Sequence, residues 1–319
     1  MQYCLEERRP VSLAFRVSIP AKDVAAMLAS AGRKAPGHAA EAARSMLVNG
    51  AIEHILAKED FIPLFRPAVE MPELAEGRDL EFRLAFDAVP AGLALPEDLS
   101  ALSVDVPAPE LAYAEAVRQM ERLKQDRPGM TDEQVASSLG FSSHDDLWKA
   151  VFTKVTTRCF QRFRAEGQSR LLDSLLEGQS FDVPESLTAF FLEELVQDAE
   201  QASLASRRKG LSDAERDSLR REGQAAALDN ARAHCLLLAL ARRQGVALAE
   251  KDVDDALKGM AAQASVSVEE MRARLEAGPG MELLRQRLEA NKALAFLYDK
   301  ASKRVVDASG KPVEAPVRS

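Results

Sequence analysis

Near the middle of this 319-residue chain, the run Leu171-Leu172-Asp173-Ser174-Leu175-Leu176-Glu177-Gly178 ends an amphipathic stretch at a glycine. Phe181-Asp182-Val183-Pro184-Glu185 then opens another. Asp182 with Glu185 suits a helix cap, and Pro184 suits a first turn, where no amide donor is needed. The expected local structure is helix, short turn, helix. The new helix carries Leu187, Phe190, Phe191, Leu192 and Leu195 as its apolar order, with carboxylates at Glu193, Glu194 and Asp198.

Upstream the period changes. Val11, Leu13, Phe15, Val17 and Ile19 alternate with Ser12, Ala14, Arg16 and Ser18, the pattern of a strand buried on one face, and Pro20 ends it. The alternation returns at Leu80, Phe82, Leu84 and Phe86, and in short form at Leu102, Val104 and Val106, while Ala21 to Ala31 and Ala39 to Ala57 read as helices. From Glu110 onward the pattern is helical throughout, with capping boxes at Thr131/Gln134, Ser212/Glu215 and Ser267/Glu270. Leu147, Val151, Val155, Cys159 and Phe163 form one core-like stripe, and Leu236, Leu237, Leu238 and Leu240 another. The expected fold is an α+β N-terminal domain (strand, helices, antiparallel meander) over residues 1–109, then an all-α domain over 110–306. Overall it is mainly α, with a flexible tail at 307–319.

Composition narrows the function classes. A chain 46% hydrophobic and 29% charged is globular, and a net charge of −8 argues against a protein held to DNA by its overall field. Aromatics make up 5%, too few for stacking platforms or a ring-walled cofactor pocket, so no cofactor is expected. Cys4, Cys159 and Cys235 are odd in number and far apart, which fits a reducing compartment better than a disulfide framework. The first ten residues carry acids and no apolar run, unlike a secretory signal, and no later run reaches the ~20 apolar residues of a membrane helix. A soluble cytoplasmic protein without membrane contact is the expectation.

The hinge and the residues around it resemble the entry to the helical C-terminal domain of trigger factor chaperones. The opening α+β unit is similar to that family's N-terminal domain. It has a strand ending near Pro20, a helix opening at Lys22-Asp23-Val24, and the segment Glu76-Gly77-Arg78-Asp79-Leu80-Glu81-Phe82 followed by Phe86-Asp87-Ala88-Val89-Pro90. The helix Met46 to Lys58 followed by Phe61-Ile62-Pro63 fits the same pattern. Two departures stand out. The family usually inserts an FKBP-type prolyl isomerase domain of roughly a hundred residues, a typical small-domain size, where this chain has only Gln125-Asp126-Arg127-Pro128-Gly129-Met130. The family's ribosome-docking signature, Gly-Phe-Arg-x-Gly-Lys, is degenerate here. Arg33, Lys34, Pro36 and Gly37 are its candidate remnant, with His38-Ala39-Ala40-Glu41-Ala42 in place of the charged residues.

The resemblance implies an ATP-independent holdase whose two helical arms, approximately 182–244 and 246–301, enclose a cradle for unfolded or nascent polypeptides. Ribosome binding is expected to be weak, and no residue is expected to be catalytic. Candidate client-binding residues are Phe190, Phe191 and Leu195 on the first arm, and Leu257, Met260, Met271, Leu275, Met281 and Leu284 on the second. Met-rich faces repack cheaply around varied partners, but the same pattern also describes ordinary helix packing. Two alternatives accompany this reading: a prolyl isomerase by family descent, or an assembly subunit that holds one dedicated partner or pairs as a homodimer.

Three polar features receive plainer readings. His234-Cys235 has no further ligand at metal spacing and is expected as a buried helix position. Arg33 and Lys34 also suit a solvated helix end. Arg207-Arg208-Lys209 with Arg216, Arg220 and Arg221 alternates with Asp213, Glu215, Asp217 and Glu222, as on an exposed hairpin tip laced by ion pairs.

Overall fold

The computed structural model describes all residues except 35–37, 76, 208, 279, 308 and 314–319, and omits the side chains of 34 and 207. In chain order it begins with β1 (Gln2–Arg9), β2 (Ser12–Ile19), α1 (Ala21–Lys34), α2 (Ala39–Leu56), β3 (Ala68–Glu70) and β4 (Leu80–Asp87). Then come β5 (Ser103–Pro107), α3 (Pro109–Gln125), α4 (Asp132–Ser138) and α5 (His144–Leu176). The remainder is α6 (Glu185–Arg207), α7 (Asp213–Glu222), α8 (Gln224–Gln244), α9 (Glu250–Ala264), α10 (Val268–Glu276), α11 (Gly280–Lys300) and β6 (Ser302–Val306). The α+β start followed by helices agrees with the expected class. The chain forms two compact units, Met1–Leu95 with Gln179–Ala293, and Pro96–Gly178 with Leu294–Ser319, so each unit draws on two stretches of sequence. The expected division between residues 109 and 110 follows the linear order of patterns instead.

In the first unit, an antiparallel sheet runs in the order β1-β2-β4-β3. The register sets Leu13, Phe15, Val17 and Ile19 opposite Phe86, Leu84, Phe82 and Leu80. Side chains alternate along a strand, so these eight share one face. Val24, Met27 and Leu28 of α1 and Leu47, Ala51 and Ile55 of α2 pack against it. Burial of each large side chain contributes about 1.5–3 kcal/mol before the entropy of ordering is counted. Asp79, just ahead of β4, accepts the first amide of α1 (Ala21 N to Asp79 Oδ1, 2.8 Å), which fixes where that helix starts. The strand β1 escapes the alternation rule because it is an edge strand with charged residues and an irregularity between Leu5 and Glu7.

The helices of this unit behave as their caps dictate. Ser212 and Glu215 form the reciprocal capping box that opens α7. Arg216 then pairs with Glu200 (3.1 Å) and Arg220 with Glu193 (2.8 Å), so the mixed-charge run ties α7 to α6. At the hinge, Pro184 occupies the N-cap of α6 rather than its first turn. Its carbonyl accepts from Leu187 N (3.1 Å) and Thr188 N (3.2 Å). The outcome is the same helix start, since a cap residue also needs no amide donor.

In the second unit, α5 ends at Glu177 and Gly178 adopts φ +76°, the left-handed conformation a glycine tolerates at a helix end. Two expectations are corrected here. The strand at Ser103–Pro107 does not extend the N-terminal meander; it pairs in parallel with β6, Ser103 facing Ser302 and Pro107 facing Val306. The region after Glu110 is therefore not wholly helical. The segment expected as a tail also turns back: Asp307 accepts from Ser309 N (2.8 Å) and Lys311 N (3.0 Å), and Val313 N donates to Val305 O (2.9 Å). A five-residue strand with only Val305 and Val306 as apolar anchors carries too little periodicity to be read.

Candidate functional site

The arm residues singled out from sequence divide by burial. Leu257 is fully buried and Met271 is buried. With Val253 and Ala261 they form the centre of a cluster against which Met260, Leu275, Met281 and Leu284 pack, half-buried. Helix α9 supplies Val253, Leu257 and Ala261 at helical spacing, so its apolar stripe faces α10 and the start of α11. Ion pairs clasp the same three helices: Arg272 with Asp254 (2.8 Å), Arg285 with Glu250 (2.9 Å) and Lys292 with Asp252 (2.7 Å). Much of the Met-rich face is thus the core of a small helical cluster, and its outer margin alone is open to a ligand.

On α6 the candidates sit at the edge of a ring chain. Phe65 meets Phe190 (6.2 Å between centroids), Phe190 meets Phe191 (5.5 Å), and Phe191 meets His234 of α8 edge-on (5.6 Å). Phe190, Phe191 and Leu195 are each half-buried. His234 itself is held well below its ordinary pKa, at about 4, first by burial, against a partial opposing effect of the Gln286 amide. The next residue, Cys235, is fully buried, and burial pushes its thiol up to about 12. A thiol that stays protonated beside a neutral imidazole supplies neither thiolate nor general acid at neutral pH. Gln286 of α11 completes this layer by donating from Nε2 to Pro63 O (3.1 Å).

Of the docking-loop remnant, Arg33 lies exposed in the last turn of α1. Lys34 closes that helix with its side chain undescribed, and Pro36 and Gly37 fall outside the described residues.

The second unit carries an aromatic surface that periodicity did not single out. Tyr113 of α3 is 55% exposed and stands edge-on to Trp148 of α5 (5.7 Å) and to Phe152 (6.4 Å). Trp148 and Phe152 stack at 6.0 Å. Beside Tyr113, a cleft of 780 Å³ is lined by Ala114, Val117 and Val313. Phe160, further along α5, is 45% exposed. In a chain with one tryptophan and three tyrosines, this gathering of rings at a surface is notable. The available signal was the scarcity itself, since Tyr113 and Trp148 each fall early in a helix, but nothing local says that those two helices pack together.

Among the described residues, no group of three or more His, Cys, Asp or Glu side chains is arranged to hold a metal, and no helix is long and apolar enough to cross a membrane.

Residues 145–299 match the family model described as bacterial trigger factor protein C-terminus. The trigger factor of Oleidesulfovibrio alaskensis is 28% identical over 191 residues, covering 59% of this chain and 43% of its own length. That of Nitratidesulfovibrio vulgaris is 26% identical over 182 residues, covering 56% and 42%. The chain thus spans less than half the length of the curated relatives it matches. A solved structure, from work on promiscuous substrate recognition in folding and assembly activities of the trigger factor chaperone, overlaps 94% of this chain and 99% of that one. Its TM-score is 0.44 at 12% identity, too low to bear on the fold.

Proposed function

We propose that this chain is a member of the trigger factor family through its helical domain and acts as an ATP-independent chaperone that holds unfolded or nascent polypeptides by many weak apolar contacts. The observation that carries the reading is the family match across residues 145–299, which takes in α5 to α11. The contact surface is the half-buried margin of the arms, Phe190, Phe191, Leu195, Met260, Leu275, Met281 and Leu284. Leu257 and Met271 support it from behind. Tyr113, Trp148 and Phe152 add a second patch. Rigid amphipathic rings supply contact area at little entropic cost, and thioethers adapt to varied sequences.

No prolyl isomerase activity is proposed. The connection between α3 and α4 is a short turn from Asp126 to Thr131, with Gly129 at φ +85° and Met130 N donating to Arg127 O (3.3 Å). Ribosome docking through Arg33 is weak in this reading, since one or two cations release few counterions.

The test is suppression of aggregation of a chemically unfolded client at near-stoichiometric chaperone, without nucleotide. Aggregation that proceeds unchanged in the presence of excess protein overturns the proposal. In a proline-limited refolding assay the slow phase is expected to stay uncatalysed, and cosedimentation with ribosomes is expected to vanish in moderate salt.

A further inference from the structure

The first unit contains a cleft of 800 Å³ whose charge runs against that of the chain. Four arginines line it: Arg8 and Arg9, at the end of β1 before the turn at Pro10, and Arg242 and Arg243, in the last turn of α8. Two carboxylates, Asp60 and Asp182, line it as well. The floor is apolar, with Phe61, Ile62, Val89 and Phe181 among its walls. In a chain of net charge −8, this is a local cationic site.

The arginines are unequally committed. Arg242 donates to Asp60 (2.5 Å) and to Phe61 O (2.8 Å), fixing the loop after α2 against α8. Arg243 donates to Leu95 O (3.0 Å), a neutral partner, and pairs with no carboxylate among the described residues. Arg9 lies against Glu7, two residues away and itself partly exposed (2.5 Å). Arg8 is exposed and pairs with no carboxylate among the described residues. Two exposed guanidiniums at the end of β1, with spare donors, thus line the cleft with two that the fold holds in place. Such forks match carboxylates in geometry as well as in charge.

We propose that this cleft binds an extended acidic peptide segment, its apolar side chains on the Phe61, Ile62 and Phe181 floor and its carboxylates on Arg8, Arg9 and Arg243. The occupant follows from charge complementarity. A basic segment would meet four arginines against two carboxylates, and a purely apolar one would cover guanidiniums without pairing them. The site goes beyond general holding of unfolded chains, because it selects by sign of charge, and it stands whether or not the protein suppresses aggregation.

The experiment uses the full chain and fluorescence anisotropy with three labelled probes: a peptide of alternating Glu and Leu, its counterpart of alternating Lys and Leu, and an oligouridine RNA. The chain's overall field favours the Lys peptide, so tighter binding of the Glu peptide reads the cleft. The Glu peptide is expected to bind more tightly than the Lys peptide and to weaken as salt is raised. It should weaken by roughly fivefold in an Arg8→Ser/Arg9→Ser double variant, the order expected for two exposed ion pairs. Both positions are exposed, so the variant's far-ultraviolet circular dichroism and Tm should match the parent's. As a second measurement that spares β1, Arg243→Gln should give a further loss. Equal binding of the two peptides, insensitivity to all three substitutions, or preference for the RNA each overturns the proposal, the last by assigning the cleft to phosphate. Aggregation suppression by the double variant separates the two functions. If suppression is retained while the Glu peptide is lost, the cleft acts independently of general holding.

Discussion

His234 shows what a single residue contributes. Its folded pKa, about 4, lies below the 6.5 of an unperturbed histidine, chiefly because burial disfavours the charged ring. The unfolded chain therefore binds the proton first as pH falls. Stability from this residue is intact above pH 6.5 and is lost on the way down to about 4, by at most ~3 kcal/mol at 1.36 kcal/mol per unit. A His234→Gln variant should unfold in urea with less loss of midpoint between pH 7 and 4.5 than the parent. An unaltered pH slope would mean that the ring is not buried as described. Asp105 runs in the same direction through a different cause. Hydrogen bonding to Arg304 (2.6 Å) and the nearby charge of Arg170 hold its carboxyl below the usual range, so its contribution is present above that range and fades only in acid. Asp105→Asn should lower Tm at pH 7, with the difference from the parent shrinking as pH falls below the ordinary carboxylate range, as scanning calorimetry across pH would show. His234 was expected from sequence as a buried helix position. The ring chain and the Gln286 contact around it were not legible, because they join residues far apart in the chain.

At the scale of elements, the packing of α5 on β5 and on Tyr298 of α11 depends on a close approach. A Cβ placed on Gly167 would lie 2.9 Å from the Tyr298 ring and 3.5 Å from Val104 Cβ. A mid-helix glycine costs about 1 kcal/mol relative to alanine, so its presence in a 33-residue helix calls for a reason, and the buried ring supplies one. Gly167→Val should lower stability by roughly 1–3 kcal/mol through overpacking, despite the better backbone propensity. Thermal unfolding checks this, and a Tm at or above the parent's would show that Tyr298 moves aside freely. The helices with capping boxes were legible because each start is written in four consecutive residues. By contrast, β6 was missed because its partner strand lies about two hundred residues earlier.

For the whole molecule, the proposed mode of holding predicts distributed energetics. Any one of Phe190, Leu195, Met260 or Met281 changed to Ser should alter the stoichiometry of aggregation suppression by less than about twofold, whereas all four together should abolish it, as multivalent binding requires. A single substitution that removes activity would point instead to one dedicated site. Tyr113→Ser combined with Phe160→Ser tests the second patch in the same light-scattering assay. The sequence by itself determined the order of strand and helix patterns, the caps, and the family likeness, because each is encoded within a window of neighbouring residues. Only the tertiary structure decided that Leu257 and Met271 face inward, that rings from α3 and α5 meet at the surface, and that β5 pairs with β6. It also placed arginines from β1 and α8 around one cleft. These depend on which helix and strand faces pack together, and a single amphipathic pattern specifies that a face is covered without specifying by what.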